Sequence, residues 1–276
     1  MTINPQQAAQ ARARIEAMKR QFEQKRQVTD SLSNIKHKIG VYSGKGGVGK
    51  TTVAVNIATT LAHGGASVGI LDVDIDCPNV VKAMKVSEHP VVGEDKRMLP
   101  AEKYGVKIMS MGFFQQNEDE AIIWRGPMVH NAINQLLQST EWGKLDYLII
   151  DLPPGTSDAP LTVMQVLDLD GFVVVTTPQE LAKIDAKRSI NMIKKLQVSV
   201  LGVVENLSGE IFGSGAGEEL AEEMGLRFLG KLELRSDYRD TSKPTVLTSN
   251  VVLDEYMSLV GGMLTALEEA EAAEAS

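Results

Sequence analysis

One stretch has the residue types and spacing to hold a polyphosphate: Gly44-Lys45-Gly46-Gly47-Val48-Gly49-Lys50-Thr51-Thr52. It follows an apolar run (Ile39, Val41, Tyr42) and precedes apolar positions at helical spacing (Val53, Ile57, Ala58, Leu61). A glycine-rich turn between a strand and a helix points several backbone N–H groups at one spot, at the positive end of the helix dipole, and so makes an anion site. Two motifs share this spelling. Gly44, Gly46 and Gly49 fit the dinucleotide fingerprint, with Asp72 placed to contact a ribose. Gly44 to Gly49 followed by Lys50 and Thr51 fit the P-loop. Lys50 and Thr51 decide for the P-loop. The lysine supplies charge for the β- and γ-phosphates and the hydroxyl a Mg2+ ligand, and a redox dinucleotide needs neither.

Three further features belong to the same chemistry. Asp151 follows the apolar run "YLII" and precedes "LPPGTSD". An acid at a strand end downstream of a P-loop is placed to hold Mg2+ directly or through water, and Gly155 gives the following loop freedom to respond to a γ-phosphate. Asp72, Asp74 and Asp76 alternate, so they share one side if their strand runs that far; three like charges together call for a cation or donors. Lys45 is a second lysine among the glycines. It cannot easily fold back on the phosphates of its own loop, but it can reach across a two-fold axis to a partner's nucleotide, as an arginine finger does.

These residues need a scaffold that brings strand ends together. From residue 38 the chain alternates strand and helix patterns. Strands are expected at 68–73, 106–111, 147–150, 172–176, 198–204 and 228–232. Helices are expected at 128–137, 180–196, 215–224 and from about 254. Apolar strands alternating with helices predict an α/β fold, a P-loop NTPase with a mostly parallel twisted sheet and helices on both faces. In such a sheet, ligands sit beyond the carboxyl ends of the strands. Residues 86–105, with Pro, Gly and mixed charge, read as loop. The division expected is a basic helical extension and linker over 1–35, with 29–37 linker-like, an ATPase domain over 36–268, and an acidic tail over 269–276, the helix fraying from Glu268.

The 276 residues carry a net charge of −8. Residues 1–38 hold 8 Lys+Arg against 3 Asp+Glu, and residues 254–276 hold 6 acids and no Lys or Arg. The core has no basic face, so no nucleic acid partner is expected. Ile15, Met18 and Phe22 form a thin apolar stripe in the basic extension; a solvated helix is favoured over a membrane contact. No apolar run is long enough to span a membrane, no signal peptide is visible, and a cytoplasmic location is expected.

Together "SGKGGVGKTT", "LDVDID", "WRGP", "DLPPGTSDAPLT", "TTPQE" and "VVENLSG" resemble the Mrp/ApbC family, MinD-like ATPases with a deviant Walker A motif. The resemblance covers about residues 36–265. It implies an ATP- and Mg2+-dependent homodimer in which Lys45 acts in trans and Lys50 and Thr51 hold phosphate and Mg2+. Asp74 would position the attacking water and Asp151 would be the Mg2+-linked acid. Asn206 would hydrogen-bond the adenine, and Pro178 would lie near the nucleotide. GTP is the alternative nucleotide, although the guanine-reading Asn-Lys-x-Asp sequence is absent. Most members carry or transfer iron–sulfur clusters.

The chain departs from the family's pattern at the cluster segment. "ENLSG" runs straight into "EIFGSGAGEEL", without the C-x-x-C segment of cluster-carrying members, and Cys77 is the only cysteine. Asp76-Cys77-Pro78-Asn79 stands where the family has Tyr-Gly-Pro-Ser, and Glu233 and Arg235 where Pro and Asp are usual. The expectation is therefore a slow, partner-stimulated ATPase accessory to iron–sulfur or metal-cofactor maturation. It would have no cluster of its own and would work beside a cysteine-bearing cluster protein or an apo-protein client. The alternative is a MinD- or ParA-like positioning switch.

Overall fold

The computed structural model describes residues 26–114, 126–156 and 158–274, with Glu16, Lys19 and Glu23. The stripe Ile15, Met18 and Phe22 lies outside the described residues.

Eight strands form one sheet in the order β10-β9-β8-β1-β7-β2-β6-β5. They are β1 (Ile35–Tyr42), β2 (Val68–Asp72), β5 (Ala101–Lys103), β6 (Val106–Ser110), β7 (Leu145–Asp151), β8 (Gly171–Thr176), β9 (Val200–Ser208) and β10 (Phe228–Glu233). All neighbours pair in parallel except the edge strand β5, which runs antiparallel to β6. Every residue of β2 and β8 is buried. A strand covered on both faces is mostly apolar, which is why these segments read as near-continuous apolar runs up to the buried polar residues Asp72 and Thr176 at their ends.

The helices α1 (Lys50–His63), α2 (Val80–Ala83), α3 (Gly126–Ser139), α4 (Asp158–Val166), α5 (Glu180–Lys195), α6 (Ala216–Met224) and α7 (Asn250–Glu274) cover the two faces. Alternate residues of each strand feed different cores. Ile39 and Val41 of β1 pack with Val53 and Ile57 of α1 and with Tyr256 and Met263 of α7. Tyr42 joins Ile133 of α3, Val163 of α4, Ile190 of α5 and Leu220 of α6.

Four segments differ from the sequence expectation. The stretch 86–105 is not all loop: β3 (Val91–Val92) and β4 (Met98–Leu99) make an antiparallel hairpin, followed by β5. Strands of two or three residues are too short to show a period. The turn is closed by the Gly93 N–H donating to the Arg97 carbonyl at 2.7 Å. β9 runs past 204 to Ser208, because its polar Glu205 and Asn206 find partners while buried. Residues 29–37 hold the end of a helical segment and the start of β1, with Val28 and Leu32 buried in the core and the Ser31 hydroxyl donating to the Leu137 carbonyl. α7 starts at Asn250 and stays helical to Glu274, and Arg227 reaches Glu269 at 2.8 Å. Among the described residues no helix is long and apolar enough to cross a membrane.

Candidate active site

The glycine-rich stretch leaves the carboxyl end of β1 between β8 and β7, where the strands on either side come from different parts of the chain. This is the kind of crevice in which open α/β sheets bind ligands. Two glycines are needed here for stated reasons. A Cβ on Gly44 would lie 2.3 Å from the Asp185 backbone of α5, so the loop starts in backbone contact with that helix. Gly49 has φ 82°, and its Cβ would lie 2.2 Å from the Asn206 amide nitrogen. α1 then begins at Lys50, with its first N–H groups open to the loop.

Lys50, Thr51 and Asp151 come together as expected. The Lys50 ammonium is 2.5 Å from Asp151 Oδ1, and the Thr51 hydroxyl donates to Asp151 Oδ2 at 2.6 Å. Asp74 Oδ2 lies 3.9 Å from Lys50 Nζ. Around them is a cleft of about 490 Å3 lined by Lys45, Gly46, Gly47, Gly49, Lys50, Thr51, Thr52, Asp74, Asp76, Cys77, Asn79 and the prolines 153 and 154. Lys45 is half-buried on this wall, and Val48 is buried beneath the loop.

The three acids separate. β2 ends at Asp72, so the alternation does not carry all three to one side. Asp72 is fully buried and accepts from the Ser110 hydroxyl at 2.9 Å and from the backbone N–H groups of Val80 and Asp74, both at 3.1 Å. It thus ties the start of α2 and the Asp74 loop to the sheet. Burial, then the charge of Asp151 opposite it, pushes the Asp72 carboxyl well above the usual carboxylate range. Burial also raises Asp74, against the pull of Lys50. Asp76 is exposed. Asp74 and Asp151 thus face one lysine beside the buried Asp72, a crowding of carboxyl groups that a divalent cation would relieve. The oxygen donors Thr51, Asp151 and Asp74 suit Mg2+, which completes its shell with phosphate and water. Among the described residues no group of three or more His, Cys, Asp or Glu is arranged to hold a metal ion.

Two residues implied by the family resemblance sit outside the cleft wall. Pro178 is half-buried between β8 and α5. Asn206 is buried, and its amide donates to the Val48 carbonyl at 2.8 Å. Two supports were not legible in the sequence. The buried Tyr42 donates its phenol O–H to the Gly155 carbonyl, and the Gly155 N–H donates to Ser43 O at 3.0 Å, so the loop after Asp151 is tied to β1 at its glycine. Its only sequence signal is a hydroxyl-bearing aromatic at the last strand position. Glu205 is fully buried and accepts from the Gly217 N–H at 2.7 Å, the Gly215 N–H at 3.0 Å and the Ser208 hydroxyl at 2.8 Å, capping α6.

Fold and loop together place the chain among the P-loop NTPases. Residues 34–259 match the family described as ParA, NUBPL iron-transfer P-loop NTPase, and the chain belongs to that family. An iron–sulfur cluster carrier protein of Methanocaldococcus jannaschii is 41% identical over 261 residues, 89% of this chain and 90% of the relative. The structure of a nucleotide-binding protein from Archaeoglobus fulgidus, in complex with ADP, matches with a TM-score of 0.70 at 34% identity, covering 80% of this chain and 91% of that one. The cell division ATPase MinD of Pyrococcus furiosus matches with a TM-score of 0.66 at 19% identity, covering 83% of this chain and 99% of that one, a likeness of fold.

Proposed function

We propose that this chain is a Mg2+-dependent ATPase that works as a homodimer in iron–sulfur cluster assembly or transfer, with the cluster held by another chain. The observation that carries the reading is the convergence of Lys50, Thr51 and Asp151, with contacts of 2.5 and 2.6 Å, beside a cleft of about 490 Å3. The loop N–H groups and Lys50 bind and orient the phosphates. Thr51 and Asp151 would hold Mg2+, which would supply charge stabilisation at the transferred phosphoryl group. Asp74, beside the same cleft, orients the attacking water. Lys45 reaches the nucleotide of the second subunit and stabilises charge there during transfer.

The cluster is cargo in this account. A [4Fe–4S] cluster usually takes four cysteine ligands, whereas one cysteine per chain gives two in a two-fold dimer. Cys77 is exposed on the wall of the nucleotide cleft, beside Asp74 and Asp76. Carboxylates disfavour a thiolate, and a cluster there would compete with phosphate. The client is therefore a cysteine-bearing cluster protein or an apo-protein. Anaerobic reconstitution with iron and sulfide, followed by iron counting and visible absorption, tests this together with an ATPase assay. The expected result is a colourless protein that hydrolyses ATP. A stable brown dimer with near-stoichiometric iron that survives Cys77→Ser would contradict it.

A further inference from the structure

Near its end β9 carries two adjacent buried polar residues, Glu205 and Asn206, that point to opposite faces of the sheet, as neighbours in a strand must. Glu205 faces α6 and is clamped by the Gly215 and Gly217 N–H groups and by Ser208. Asn206 faces the phosphate-binding loop. It is 5% exposed, and its amide donates to the Val48 carbonyl at 2.8 Å. Val48 is itself buried, so without that donor its carbonyl would lose a hydrogen bond in a place water does not easily reach. The next residue, Gly49, takes the left-handed conformation directly against the same amide. Its carbonyl accepts from the Val53 N–H at 3.0 Å, in the first turn of α1. Strand end, loop and helix start are therefore joined through one side chain. Asn206 is not among the residues that line the cleft around Lys50.

We propose that Asn206 is a positioning residue for the phosphate-binding loop. Its amide fixes the Val48 carbonyl and, through it, the direction of the Gly49 and Lys50 N–H groups, so it serves affinity for the phosphates. The inference rests on the reading that this cleft binds a nucleoside triphosphate. A side chain that held only the base would leave binding of a base-free polyphosphate untouched; one that shapes the loop affects every ligand alike.

The test is calorimetric titration of wild type, Asn206→Ala and Asn206→Asp with tripolyphosphate, Mg·ATP and Mg·GTP. Loss of one buried hydrogen bond predicts about tenfold weaker binding of all three ligands to Asn206→Ala, by the same factor. Asn206→Asp sets a carboxylate oxygen against a carbonyl oxygen and should lose at least as much. Steady-state hydrolysis by Asn206→Ala should show the loss in KM, with kcat at saturating ATP within about threefold of wild type. If Asn206→Ala does not fold, Asn206→Ser carries the same comparison. A loss confined to ATP, with tripolyphosphate unchanged, would overturn the proposal, as would unchanged binding of all three or a fall in kcat at unchanged KM. Wild type that binds neither ATP nor tripolyphosphate would instead remove the reading of the cleft itself.

Discussion

Lys50 Nζ and Asp151 Oδ1 lie 2.5 Å apart, which joins the first residue of α1 to the last residue of β7. The pair is 101 residues apart in sequence and is buried. Thr51 holds the other carboxylate oxygen, so Asp151 is fixed from both sides by adjacent residues of one helix turn. The glycine-rich loop and Asp151 are thus set as one unit.

If Lys45 acts on the opposite subunit, Lys45→Ala should bind ATP and lose most turnover, since trans-acting cations contribute about 10³–10⁵ in rate in related phosphoryl transfers. Asp74→Ala should also bind ATP and stall. Mixing the two variants creates dimers with one site in which the trans lysine and the cis aspartate are both intact. Partial recovery of phosphate release is expected. No recovery in proven mixed dimers would rule out the trans role.

Glu205 is a stability prediction. Truncation to alanine strands the N–H groups of Gly215 and Gly217 at the start of α6. Glu205→Ala should cost about 2–4 kcal/mol in urea unfolding, and Glu205→Gln, which keeps one acceptor oxygen, clearly less. A loss under about 0.5 kcal/mol for alanine would mean that the cap contributes little.

Asp72 makes stability depend on pH. Its carboxyl is raised from 3.8 to about 8 in the fold, by burial first and then by Asp151. Between those values the folded protein holds a proton that the unfolded chain has released, so stability falls as pH rises through that window. Asp74 is raised too and adds to the slope. Asp72→Asn removes the titrating group and leaves an acceptor for Val80 and Ser110. Urea midpoints measured in chelator from pH 5 to pH 8 should fall less steeply in the variant. Parallel slopes would show that Asp72 does not titrate in that range.

The strongest sequence signals were those in which each residue type has a separate physical reason to be present. Lys50 and Thr51 next to Gly49 specified the loop's chemistry, and apolar runs such as 172–176 marked strands covered on both faces. Burial of polar side chains was not legible. Glu205 and Asn206 fell just beyond the strand expected at 198–204, yet they lie inside β9, partnered by groups 10–12 residues ahead and by Val48, 158 residues back. Asp72 and Asp76 are four positions apart, yet the first is buried and the second exposed, because the chain leaves the strand after Asp72. The hairpin of β3 and β4 was invisible, because strands of two residues carry no period.

Lys50 and its loop are proposed to bind the phosphates of ATP together with Mg2+. Calorimetric titration of ATP into wild type and Lys50→Ala, with Mg2+ and with chelator, tests it most directly. Wild type is expected to bind ATP more tightly with Mg2+, and Lys50→Ala to lose about 100-fold or more through missing charge-assisted hydrogen bonds. Equal affinity in the two proteins would contradict it.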